Sequence, residues 1–208
     1  MDVSRQHDLL AVYRNGLLND TLPFWWPRCV DEAHGGFLLA RDRDGSLLDT
    51  DKGMWQQCRA TWLLGTLYNT VEPRAEWLDW AKCGLDFISR HGFDADGRMW
   101  FHVTGEGRSI RKRRYVFTET FAAIAYAALA KATSNGDQAQ KARDLFRLAK
   151  RHFVDPSLAK PKFTDTRPAK AIGAPMIQMV TAQELRRNLG DESFTADVDS
   201  AIEEIRRD

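Results

Sequence analysis

The stretch that most constrains this chain is residues 51–69, DKGMWQQCRATWLLGTLYN, which is strongly helical and chemically unusual. Trp55, Arg59, Trp62 and Thr66 fall at i, i+4, i+7 and i+11, so two indoles and a guanidinium share one narrow helical stripe. Met54, Cys58, Leu63, Leu64, Leu67 and Tyr68 spread apolar groups over most of the remaining circumference. A helix that is apolar nearly all round belongs in an interior. An interior helix with an arginine must give it a partner or a water-filled cavity, because an unpaired buried charge is among the costliest features a fold can contain. Arg59 therefore either holds a structural carboxylate or faces a binding cleft.

The rest of the chain alternates around that helix. Ser4 is a candidate cap for a first helix over residues 4–19, with Leu9, Leu10, Tyr13 and Leu17 on one side. An aromatic corner, Phe24, Trp25, Trp26 and Pro27, leads into a glycine-containing loop at 31–36. Asp44-Gly45 between short apolar runs then predicts a β-hairpin over 37–48. After the interior helix, Pro73 opens an amphipathic helix ending at His91, with Trp77, Trp80, Ala81, Gly84, Leu85 and Ile88 on one face. The order now repeats. A hairpin over 99–111 turns at Gly105-Glu106-Gly107, an alanine-rich interior helix covers 117–132, and residues 136–152 are amphipathic again. A polar loop at 155–170 leads to a third interior helix over 174–189, begun by Pro175, and a last surface helix follows from Ser193. Interior helices that recur every roughly 60 residues and alternate with amphipathic partners mark a toroid or solenoid of helix pairs.

Composition narrows the function classes. Thirty Lys and Arg against 29 Asp and Glu leave a net charge of +1, which supplies no global field for collecting nucleic acid or an anionic membrane. Seven tryptophans suit either large core positions or the lining of a sugar or aromatic site. Cys29, Cys58 and Cys83 are scattered, odd in number and free of any CxxC pattern, which predicts reduced thiols in a cytoplasm with no disulfide and no zinc site. No window approaches a membrane-spanning apolar run, and the opening MDVSRQHDLL lacks the pattern of a secretory signal, so a soluble intracellular chain is expected. The chain contains no GxGxxG, P-loop, GxSxG or HExxH motif, and no cofactor or metal is expected.

Three stretches carry a family resemblance: FWWPRCVDEAHGGFLLARDRDGSLLDTDKGMWQQCRATWLLGTLYN, RKRRYVFTETFAAIAYA and APMIQMVTAQEL. In this order, HGG, DRDG, the WQxxR-like helix and the RYVF-[TS]-E run resemble the N-acylglucosamine 2-epimerase family, which includes cellobiose 2-epimerases and aldose–ketose isomerases. The likeness runs over residues 17–189. It implies an all-α fold, an (α/α)6 barrel with inner helices around a sugar cavity and short β-hairpins near its mouth, in agreement with the alternation above. It also implies a monosaccharide or disaccharide substrate. Arg59 matches the inner-helix arginine that the family points into the cavity, and Trp55 and Trp62 share its stripe. Glu119 matches the acidic residue opening the second inner helix, where complementing the helix terminus is the structural alternative. On the third inner helix, where branches of the family carry His or Asn, this chain has Gln178 or Val180.

The departure is in length. Family members are about twice as long, because a complete barrel needs about twelve helices and this chain holds about seven. Residues 1–208 are thus expected to form the N-terminal half of the barrel domain. The family's proton abstraction beside a sugar carbonyl uses two histidines from the other half, so no catalytic residue is assigned here and the chain alone is expected to be inactive. None of His7, His34, His91, His102 and His152 falls on a predicted inner helix. Two rivals remain. An (α/α)6 glycoside hydrolase fragment would need paired carboxylates, for which Asp51, Glu119 and Glu32 offer acids without a paired motif. A non-catalytic helical-repeat scaffold would present an apolar or charged concave face to another protein. The open ends of a half toroid further predict a homodimer or a self-associating species.

Overall fold

The computed structural model describes residues 2–112, 115–155, 157–158, 163–167, 169 and 171–207. Two expectations fall partly outside them: Arg113 and Arg114 of the RKRRYVF run, and much of the 155–170 loop. The elements follow one another as α1 (Val3–Asn15), α2 (Leu22–Trp25), β1 (Ala40–Arg41), β2 (Leu47–Asp49), β3 (Lys52–Gly53), α3 (Met54–Thr70) and α4 (Ala75–His91). The second repeat supplies β4 (Trp100–Val103), β5 (Ser109–Lys112), α5 (Phe117–Thr133) and α6 (Gly136–Val154). After the loop come α7 (Gly173–Leu189) and α8 (Thr195–Arg207).

Three helices, α3, α5 and α7, lie side by side as an inner row, with α5 in the middle. The amphipathic helices back them: α4 packs on α3 and α5, α6 on α5 and α7, and α8 on α7. The middle helix shows why the sequence builds this way. Its alanines at 122, 123, 125, 127, 128 and 130 are all buried, and such small side chains let the surrounding helices approach its backbone. Every residue from Thr118 to Ala130 is buried except Phe121, which is half-buried. Between α3 and α4 the approach is closer still. A Cβ on Gly84 would stand 2.3 Å from Thr61 Oγ1 and 2.5 Å from Phe37 Cε2, so only glycine fits at this crossing. Phe37, Met54, Leu64, Phe87, Met99, Leu129, Phe146 and Leu185 belong to one continuous core that runs through both repeats and into α7.

Both expected hairpins are present, and the structure adds a connection between them. β1 pairs antiparallel with β2. β3, the two residues before α3, pairs antiparallel with β4, and β4 with β5, so the entry to the first inner helix is a strand of the second hairpin's sheet. Helix ends follow local chemistry: Asn135 Oδ1 accepts from Gln138 N at the start of α6, and Gly190, in the left-handed region at φ +62°, closes α7.

Two expectations need correction. The first helix is capped by Asp2, whose carboxylate accepts from Ser4 N, and it ends at Asn15, continuing through a wide π turn at Gly16–Thr21 into α2. Its apolar side is packed only in part, with Leu9 half-buried and Leu17 against the core. Leu10, Val12 and Tyr13 are exposed, because α1 packs mainly on its own continuation, with Arg14 reaching Glu72 beyond α3. The second correction concerns α3, which is not interior on all sides. Arg59 and Gln56 are exposed, and Trp55, Trp62 and Thr66 are half-buried, so the stripe is the helix's open face.

Candidate functional site

The open faces of the inner row carry the candidate site. On α3, Trp55 stacks on Phe121 of α5 with ring centroids 5.3 Å apart and an interplanar angle of 14°. Arg59, one turn further, places its guanidinium 5.3 Å from the centroid of the same ring. Phe121 is thus shared by an indole and a cation, and it is the residue of α5 that breaks the otherwise continuous burial. Among the described residues Arg59 has no carboxylate partner. Of the two environments open to Arg59 in the sequence, the structural ion pair is not found among the described residues.

Trp62 makes the link across the row. Its Nε1–H donates to Oε2 of Glu184 on α7 at 2.9 Å, and Glu184 also accepts from Arg187 and Asn188 on its own helix, at 3.4 Å each. The indole is thereby held at a set angle between the first and third inner helices. Trp55 Nε1 and Thr66 Oγ1 on the same stripe are buried without a hydrogen-bond partner among the described residues. On α7, Met176 and Val180 are exposed and Gln178 is buried. The resulting surface combines aromatic planes, a guanidinium with no carboxylate partner among the described residues, and a carboxylate, the mixture of apolar lining and few polar groups that small-molecule sites use.

Glu119 occupies different ground. It is fully buried in the first turn of α5, and its Oε1 accepts from Arg98 Nε at 2.6 Å and from Met99 N at 3.0 Å. Its Oε2 has no partner among the described residues. Arg98 also donates to His152 on α6 and to the carbonyl of Tyr115. Burial and the neighbouring Arg98 guanidinium hold the His152 imidazole below its ordinary pKa, with Glu119 acting in the opposite sense. A second buried pair, invisible in the sequence, lies at the matching place in the first repeat. Lys52 Nζ donates to Asp31 Oδ2 at 2.6 Å and to the carbonyls of Gly35 and Gly105 at 2.7 Å, with the Phe87 ring 4.2 Å away.

The residues that sequence reasoning missed are Phe121 as the shared ring, Glu184, Lys52 and Arg98. Phe121 alone had a usable signal, a phenylalanine at the head of a run of alanines. The other three are ordinary charged residues whose partners lie 122, 21 and 21 positions away.

Fold and site define a half toroid of paired helices whose inner face carries an aromatic and cationic surface. The family model described as N-acylglucosamine 2-epimerase (GlcNAc 2-epimerase) matches residues 35–183, and the chain belongs to that family. It is 29% identical over 203 residues to the N-acylglucosamine 2-epimerase of Rattus norvegicus, a match covering 93% of this chain and 48% of the relative. It is 24% identical over 136 residues to the cellobiose 2-epimerase of Bacteroides fragilis, covering 64% and 34% of the two. Among solved structures, the cellobiose 2-epimerase from Bacillus thermoamylovorans B4167 aligns over 95% of this chain and 55% of its own, with a TM-score of 0.82 at 19% identity. The likeness shows the fold, part of an (α/α)6 barrel. The chain spans about half the length of the curated relatives it matches.

Proposed function

We propose that the chain is the sugar-holding N-terminal half of an epimerase or aldose–ketose isomerase barrel, with residues 1–208 forming one half domain. The observation that carries this reading is the exposed Arg59 seated on Phe121, on the open side of the three inner helices and without a carboxylate partner among the described residues. Arg59, Trp55 and Trp62 contact a neutral monosaccharide or disaccharide. Glu119 serves the site from behind, fixing the second hairpin through Arg98 and Met99. Epimerisation or isomerisation requires a proton to leave the carbon beside the carbonyl and return through an enediolate, and histidine is the usual base at neutral pH. His7 lies on α1, His91 on α4, His102 on β4, His152 on α6 and His34 in a loop, so none projects from α3, α5 or α7. The 208-residue chain therefore binds sugar without turning it over.

The test is incubation with N-acetylmannosamine, mannose and cellobiose in deuterated water, with NMR of the C2 proton and of the sugar's saturable binding. No exchange is expected, together with binding that Arg59→Met weakens. Catalytic exchange would overturn the missing-base reading, and absence of any binding would overturn the sugar face. The acids of the hydrolase rival are not gathered: Glu119 is sealed by Arg98, whereas Glu32 lines a separate pocket without Asp51.

The same reading places the chain in a reducing cytoplasm, supported by three free cysteines. Among the described residues no helix is long and apolar enough to cross a membrane. Met176 and Val180 on α7 are 48% and 41% exposed, which supports a homodimer or self-association through the open edges. Sedimentation at micromolar concentration decides this, a compact monomer that binds no hydrophobic dye being the contrary result.

A further inference from the structure

A polar pocket of about 450 Å³ lies between the 31–35 loop, the C-terminal end of α4 and the turn of the second hairpin, and it shares no lining residue with the Arg59 face. Its walls include Glu32, His34, Arg90, His91 and Glu106. Which charges are already spent decides what the pocket can take. Asp31, at its floor, accepts from Lys52 Nζ, Ala33 N and His34 N. Glu106 accepts from Thr104 Oγ1 at 2.8 Å and faces Arg108 at 3.5 Å.

Arg90 and His91 are the unspent groups. Arg90 approaches its helical neighbour Asp86 only at 3.9 Å, and its Nε reaches the Asp86 carbonyl at 3.4 Å. Its Nη2 lies over Gly35, 3.3 Å from where a Cβ would stand, so the missing side chain lets the guanidinium fold across the loop. The His91 ring packs against Gly107 and lies 4.9 Å from the Phe87 ring, and it makes no hydrogen bond among the described residues.

We propose that this pocket is a binding site for a small oxyanion, a phosphate or a carboxylate, held by the Arg90 guanidinium with His91 and His34 as further donors. A guanidinium presents parallel N–H groups that match either anion, and such charge-assisted bonds are about twice as strong as neutral ones. Glu32 opposes the anion and sets an upper limit on its affinity. Facing His91 are Arg90 on its own helix, Lys52 on β3, Asp31, Glu32 and His34 on the loop, and Glu106 on the hairpin turn. Burial, Arg90 and Lys52 hold the free imidazole below its ordinary pKa. A bound anion works against both cations and raises it.

The test uses the full chain and side-chain NMR of its histidines, titrated with inorganic phosphate and with acetate against chloride at matched ionic strength. Saturable shifts of His91 and His34 are expected with phosphate or acetate and not with chloride, and the His91 titration midpoint should rise. Response to only one of the two assigns the site to that anion. Arg90→Gln should weaken binding about tenfold, Glu32→Gln should tighten it, and Lys131→Gln, at the C-terminal end of α5, should leave it unchanged. Arg90 is exposed, and an unchanged melting temperature confirms that its variant is folded. Shifts that do not saturate, that chloride reproduces, or that Lys131→Gln reduces as much as Arg90→Gln would overturn the proposal.

Discussion

In the first hairpin–helix repeat the acid Asp31 comes from the loop ahead of the hairpin and its partner Lys52 stands just before α3, whereas in the second the base Arg98 precedes the hairpin and Glu119 stands inside α5. Both pairs close at 2.6 Å and both tie a hairpin to the root of an inner helix. Their surroundings differ. Lys52 is sealed and spends its donors on Asp31 and two carbonyls, one of which, Gly105 O, belongs to the other repeat's hairpin. Arg98 keeps 14% of its side chain exposed, and its partner Glu119 has one oxygen without a hydrogen bond. The first pair is a closed hub joining two repeats, and the second is an open junction within one. Loss of one partner from a buried pair costs more the less water can take its place.

The contrast can be broken by mutation. Lys52→Met leaves the Asp31 carboxylate buried with only the N–H groups of Ala33 and His34 to meet its charge and takes the lysine donor from two carbonyls, and a loss of about 3–5 kcal/mol is expected in urea or thermal unfolding. Glu119→Gln keeps the acceptor for Met99 N and leaves Arg98 a route to solvent, His152 and the Tyr115 carbonyl, so a loss of about 1–2 kcal/mol is expected. Equal losses would abolish the distinction between hub and junction.

Acid sharpens it. Burial raises the Asp31 carboxyl, but the Lys52 ammonium and the N–H groups of His34 and Ala33 outweigh this and hold it below the usual carboxylate range. A depressed acid stabilises the fold fully above its unfolded pKa of about 3.9, and the contribution disappears as pH falls through the folded value. The depressed His152 favours the fold as a neutral ring, fully above about pH 6.5, and this contribution is lost as pH falls from there toward its folded pKa. The Arg98–Glu119 junction should therefore weaken before the Asp31–Lys52 hub on acidification. In a stability profile against pH, His152→Gln removes that share of the upper step and leaves the share of His91, while Asp31→Asn flattens the lower one. An upper step untouched by His152→Gln would sever the link to the Arg98 junction.

The smallest effect on stability is expected at the third cation. Arg59→Met keeps the stem on Phe121 and removes a charge that has no carboxylate partner among the described residues, so unfolding should change by within about 0.5 kcal/mol. A drop as large as that of Lys52→Met would place Arg59 in the structural class and remove it from the candidate site.

The alternation of inner and outer helices was open to sequence reasoning because burial leaves periodic marks. The alanine-rich α5, the one-sided stripes of α4 and α6 and the Asp44-Gly45 turn each carry their signal within a few residues. The same local marks placed Trp55, Arg59 and Trp62 on one stripe. They did not reveal which way the stripe faced, because a helix apolar on most sides looks alike in the middle of the row and at its side. Only packing decided that α5 is enclosed while α3 keeps an open face, that α1 presents Leu10 and Tyr13 to solvent, and that β3 joins the sheet of the other repeat. The two ion pairs were likewise decided in three dimensions. A lysine and an aspartate 21 residues apart leave no period to detect, and their energy depends on the exclusion of water, which only the assembled core provides.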